Sequence, residues 1–297
     1  VYSLSDISGG IDNSGTISGS YRGIWVENTS DISGGIINSG LIKGSSEEGI
    51  LIDTSSDISG GIDNSGTISG GYGIYVDTYS DITGVIKNSG IISGDTAAGI
   101  HLETSSDISG GIDNSGTING DTVGIKVQSS SNISGGINNS GTISGVSYGI
   151  YLESSSDISG GIDNSGIISS GSSGMGIFLD DTSDISGGII NSGTISGSSM
   201  GIYLDGSSDI SGGIDNSGTI SGSSVGIYVD VTSDISGGIT NSGIITGSGG
   251  TAINIYNETA TARITNTATG VITGDVIMGQ GYFNMETGAE VDGDVTA

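Results

Sequence analysis

Isoleucine and its aliphatic relatives recur at the same few phases of a repeat about 25 residues long, and almost everything between them is Ser, Gly, Thr, Asn or Asp. In the copy from Asp209 to Ser233 the apolar positions are Ile210, Ile214, Ile220, Ile227 and Val229. Side chains alternate across an extended chain, so Ile210 and Ile214 share one side of a strand, as do Ile227 and Val229. No 3.6-residue apolar stripe is present, and the wealth of Gly and β-branched residues disfavours helix. The pattern predicts three short strands per copy: Asp-Ile-Ser-Gly-Gly-Ile-Asp, Thr-Ile-Ser-Gly and Gly-Ile-Tyr-Val-Asp. They are separated by Asn-Ser-Gly, a Ser-rich link and a Ser/Thr bend.

The copies open at Asp6, Asp31, Asp57, Asp81, Asp107, Asn132, Asp157, Asp184, Asp209 and Asp234. A period of this length with three strands predicts an all-β, right-handed parallel β-helix of about 10–11 coils. Coils stacked at about 4.8 Å give a rod roughly 50 Å long in which like residues form ladders. Residues 1–248 carry the regular coils, and 249–297 read as a degenerate continuation. Val1-Tyr2-Ser3-Leu4 aligns with the end of a coil, so the chain is expected to be a fragment opening in mid-repeat. Coil lengths differ mostly in the link before the third strand, as at Ser170–Met175, which marks a tolerant, exposed turn.

Glycine is abundant, 59 residues, but it falls at fixed phases, so it signals turns and not disorder. The net charge of −28, with five Lys and Arg, disfavours nucleic acid and anionic surfaces as partners. No apolar stretch approaches the roughly 20 residues of a membrane helix, so no membrane insertion of this segment is expected. Cysteine is absent, so no disulfide holds the fold.

The most uniform column is Asn13, Asn38, Asn64, Asn88, Asn114, Asn139, Asn164, Asn191, Asn216 and Asn241, each followed by Ser-Gly. It reads as a structural ladder of coil-to-coil side-chain hydrogen bonds, with the glycine supplying a turn conformation. The preceding column places carboxylates only in every second coil (Asp12, Asp63, Asp113, Asp163, Asp215), which keeps like charges apart. The opening column does not alternate: Asp31, Asp57, Asp81, Asp107, Asp184, Asp209 and Asp234 are candidates either for local Asx turns or for Ca²⁺ held between coils. Neither an EF-hand loop nor the calcium-binding nonapeptide is present. No other cofactor is indicated. A second continuous acidic column, Glu27 to Asp230, reads as a solvated face.

Trp25, Tyr75, Tyr151, Phe178, Tyr203 and Tyr228, with Leu51, His101 and Lys126 between them, fall on the outward side of the third strand. This exposed aromatic stripe is the candidate binding surface; the plainer reading is mutual stacking on a β face. His101, the only histidine, is expected at the surface without chemical duty. Carboxylate pairs recur in every coil without long loops to frame a cleft, so no enzyme is expected.

With Asn-Ser-Gly-Thr-Ile-Ser-Gly at 64–70 and Ile-Thr-Gly-Asp-Val-Ile-Met-Gly-Gln-Gly at 272–281, the chain resembles the passenger region of bacterial autotransporter adhesins, exported by type V secretion. The echo of Gly274-Asp275-Val276 in Gly293-Asp294-Val295 is similar to segments that precede the membrane barrel in that family. The resemblance implies a non-enzymatic rod, extracellular or on the bacterial outer-membrane surface, acting in cell adhesion, aggregation or as a spacer. Its implied partners are a host or bacterial cell surface, through a glycan or a protein, with self-association as a further expectation. The alternative is a self-assembling filament or surface-layer subunit, and a polysaccharide-degrading enzyme of tailspike type ranks last. No catalytic residues match.

Overall fold

The computed structural model describes residues 1, 3–256 and 262–296; Tyr2, aligned above with a coil end, lies outside the described residues. The described residues form strands and turns only, with no helix. Every strand pairing is parallel and joins one coil to the next, usually about 25 residues on, so the chain is a parallel β-solenoid with three strands per coil. The first strands, such as Ile11–Asn13 and Ile214–Asn216, make one 12-stranded sheet. The second strands (Thr219–Gly222) and third strands (Val225–Val229) join in a larger sheet that wraps two sides.

The predicted inward set holds: Ile210, Ile220, Ile227 and Val229 are fully buried and Ile214 nearly so. Each such side chain contributes roughly 1.5–3 kcal/mol by leaving water. The predicted first strand is divided, however. Ile210 forms only an isolated bridge to Ile185, and the regular strand restarts at Ile214. Between them Gly213 takes φ 83°, a left-handed conformation that turns the chain, and a Cβ there would lie 2.7 Å from the carbonyl of Gly238. The two isoleucines thus share the core across a corner and not along one strand.

A second left-handed corner follows the third strand. Pairs such as Thr54 and Ser55, Thr104 and Ser105, and Ser154 and Ser155 have φ near 60° without being glycine. Adjoining corners support one another: the Ser55 N–H donates to the Thr78 carbonyl at 2.9 Å and the Ser105 N–H to Ser129 at 3.0 Å. Just beyond, fully buried Ser56, Ser80, Ser106 and Ser131 make a further ladder, each hydroxyl accepting the previous serine's backbone N–H at 3.0–3.2 Å.

Past residue 248 the stack runs on with altered coils. Second and third strands fuse into Ile244–Ile255, bulged between Thr246 and Thr251 and between Thr251 and Ile253, and then into Val271–Met278. Phe283 pairs with Ile264, 19 residues earlier, so this coil is shorter. Val276 pairs with Val295, and Asp275 accepts the Asp294 N–H at 2.8 Å: the echoed Gly-Asp-Val segments are stacked equivalents.

Candidate functional site

The asparagine column is buried and continuous. The Asn64 amide donates to Asn88 Oδ1 at 2.8 Å, to the Ile91 carbonyl at 3.0 Å and to the Gly66 carbonyl at 3.3 Å. The same set recurs at Asn139, and the ladder extends through Asn241 to Asn266, one coil beyond its sequence-predicted end. The glycine after Asn-Ser has a different reason from the one expected. Gly66 lies outside the left-handed region, and a Cβ there would collide with the carbonyl of Gly40 in the adjacent coil. Close coil-to-coil approach, and not turn conformation, demands it.

The opening aspartates make an inter-coil ladder, not local Asx turns. Asp31 Oδ1 accepts the Asp57 N–H at 2.9 Å, Asp57 that of Asp81 and Asp81 that of Asp107, both at 2.9 Å. Asp184 and Asp209 serve Asp209 and Asp234 at 2.7 and 2.8 Å. Partial burial raises the carboxyls of Asp57, Asp107, Asp184 and Asp209 above the usual range, with neighbouring carboxylates adding a smaller push and the backbone N–H bond opposing it. Desolvation outranks the like-charge crowding that the spacing suggests. Among the described residues no three His, Cys, Asp or Glu gather as a cation site. In the alternating column each carboxylate has an uncharged or cationic neighbour, as in Ile37–Asp63–Lys87–Asp113–Asn138. Asp63, Lys87, Asp113, Asn138 and Asp163 line an open groove of about 470 Å³.

The aromatic stripe is stacked and largely covered, which corrects its reading as an exposed surface. Parallel pairing puts Tyr75, His101, Lys126, Tyr151, Phe178, Tyr203 and Tyr228 in one register. Phe178 is 7% exposed and only Trp25, at 38%, is exposed; the four tyrosines are half-buried. Tyr75 stacks on His101 at 4.9 Å, Tyr151 on Phe178 at 5.0 Å and Phe178 on Tyr203 at 4.8 Å, while Tyr228 meets Tyr203 edge-on. At one end the Arg22 guanidinium lies 4.3 Å over Trp25 and pairs with Glu47 and Glu48.

Sequence reasoning missed what lies beside the stripe. The link before the third strand, read as a tolerant turn, and the residue that opens that strand lay a second set of rings against the first. Tyr72 sits 4.8 Å from Tyr75 and 5.3 Å from His101; Tyr148 sits 4.7 Å from Tyr151 and 5.4 Å from Phe178. The signal available was position: both tyrosines stand two residues before the inward isoleucine of their third strand. The acidic column is also no solvated face. Tyr75 donates its phenol to Glu103 at 2.8 Å, Tyr203 donates to Asp205 at 2.8 Å, and Asp77 accepts the Thr78 N–H at 2.7 Å, tying stripe and corner together. Burial first, and these carboxylates second, push the phenols of Tyr75, Tyr151 and Tyr203 upward.

His101 is buried, at 4% exposure, against the expectation of a surface side chain. Neither ring nitrogen has a hydrogen-bond partner; the nearest carboxylate, Glu103, is 3.8 Å away. Burial, reinforced by Lys126 and weakly opposed by Asp77, lowers its pKa to about 3, so the ring is neutral at physiological pH. Comparison with models of protein families, with curated proteins and with solved structures finds no match.

Proposed function

We propose that this chain is the rod of a non-enzymatic extracellular surface protein, acting in adhesion, with the third-strand face as its contact surface. The observation that carries this reading is the in-register stack of the regular coils, whose third-strand side gathers aromatic rings, carboxylates and a cation into a strip. Inter-coil ladders of Asn, Ser and Asp bond every rung to the next, which suits a stiff spacer that holds a surface away from its attachment. The resemblance to autotransporter passengers supports the bacterial-surface setting.

The test is binding of fluorescent beads coated with the chain to bacterial and animal cells. Saturable binding that falls when Tyr75, Tyr151, Tyr203 and Tyr228 are replaced together by Ser is the expected outcome. Binding to no cell type rejects the reading. Concentration-dependent lengthening in electron micrographs, without cell binding, supports the filament alternative instead.

A further inference from the structure

The second layer of rings on the third-strand face has a gap. Ala98, Val123 and Tyr148 occupy one register position in successive coils. Tyr72 holds the same position one coil before Ala98, since the two lie two residues ahead of the paired Ile74 and Ile100. The rings of Tyr72 and Tyr148 are therefore three coils apart, about 14 Å at about 4.8 Å per coil. Between them Ala98 and Val123 leave a cavity of about 240 Å³, also lined by His101, Lys126 and Tyr151.

From this geometry we infer that the gap is a binding slot for a neutral saccharide, one or two pyranose rings lying between Tyr72 and Tyr148; the inference rests on the adhesive reading above. Aromatic walls with a few polar groups on an otherwise apolar floor suit a ligand that offers C–H faces and hydroxyls together. His101 supplies the selectivity. A neutral imidazole carries one donor and one acceptor, both without partners here, and a hydroxyl answers either, whereas a simple cation or anion answers only one. Charge argues the same way: Lys126 lies 3.6 Å from Glu153, Glu103 flanks the histidine, and the chain as a whole repels anions. Lys126 is also the movable part of the floor. Its pair with Glu153 is partly exposed, 23% and 30%, and such pairs hold weakly, so the ammonium lifts to admit a hydroxyl to the ring beside it.

His101 is the only histidine, so its imidazole gives a single set of nuclear magnetic resonance signals to report on the slot. The probes are an array of neutral glycans, followed by titration of each binder into the labelled full chain. A saturable shift of the His101 signals is expected, with affinity reduced about tenfold by Tyr72→Ser or Tyr148→Ser. Val123→Tyr fills one of the two gap positions with a ring, beside the coil that already carries Tyr148, and it abolishes binding with the melting temperature unchanged or raised. No shift with any glycan overturns the proposal, as does a shift that survives undiminished in folded Val123→Tyr and in both serine variants. Cell binding by the wild-type chain that Val123→Tyr leaves intact overturns the slot while sparing the adhesive rod; no cell binding at all removes the adhesive rod itself.

Discussion

The asparagine column at Asn64 and the aspartate column at Asp57 belong to the same coil, yet one is fully buried and the other half-exposed. Both are stacked on chemically similar neighbours above and below. An amide carries donor and acceptor together, so Asn64 receives from one coil what it gives to the next, and the column closes on itself without water. A carboxylate only accepts. Asp57 cannot be satisfied by its neighbours' carboxylates, takes the backbone N–H of Asp81 instead, and stays partly exposed. A column whose side chains satisfy one another can stand dry in this rod, and a column of carboxylates cannot.

Forcing a carboxylate into the deep column breaks that rule most severely. Asn139→Asp removes three donated hydrogen bonds and faces the new charge with Asn164 Oδ1 and two carbonyls. It is expected to cost about 3–5 kcal/mol near neutral pH, read as lost hydrogen-exchange protection in its own and the adjoining coils and as a lower guanidinium midpoint.

His101 tests the rule with a group as deep as the asparagines but without their reciprocity. Its folded pKa, about 3, lies below the unfolded value of 6.5, so the unfolded chain binds the proton first and this contribution to stability falls from pH 6.5 down to about 3. The loss is of order 5 kcal/mol across that window. Denaturation midpoints measured against pH should show it in the wild type, and His101→Phe, which stacks but does not titrate, should flatten it.

Smaller effects separate the acceptor from the charge in the shallow column. Asp184→Ala strands the Asp209 N–H and is expected to cost about 1–2 kcal/mol in urea unfolding. Asp184→Asn keeps the acceptor, as Asn132 does for the Asp157 N–H at 3.1 Å, and should stay within about 0.5 kcal/mol. The raised carboxyl of Asp184 binds its proton more tightly folded than unfolded. Its contribution is therefore full below the ordinary value of 3.8 and is lost as pH rises through the higher folded value. Asp184→Asn removes that decline, which a pH series of melting temperatures would resolve.

Much of this was legible in the sequence. The inward isoleucines, the asparagine ladder and the parallel stack follow from columns of identical residues, because a parallel in-register solenoid converts sequence period directly into spatial contact. Less was legible at the corners. Ile210 and Ile214 keep strand spacing across a glycine turn, and Thr54 and Ser55 hold left-handed angles that residue type alone does not announce. The candidate site was half legible: the ring column could be read, but its cover could not, since Tyr72 lies in a link and Tyr148 opens its strand in phase with the inward Ile150 yet packs on the outward rings.

The sequence by itself therefore determined the period, the core and which residues stack on which, since those depend only on repetition along one axis. The tertiary structure alone decided how far each column sits from water: it buried His101 and Phe178, kept the opening aspartates wet, and left a gap over Ala98 and Val123. The physical reason is direction. Repetition fixes contacts along the rod, whereas burial depends on what neighbouring segments of the same coil place across its surface, and each link sets that separately.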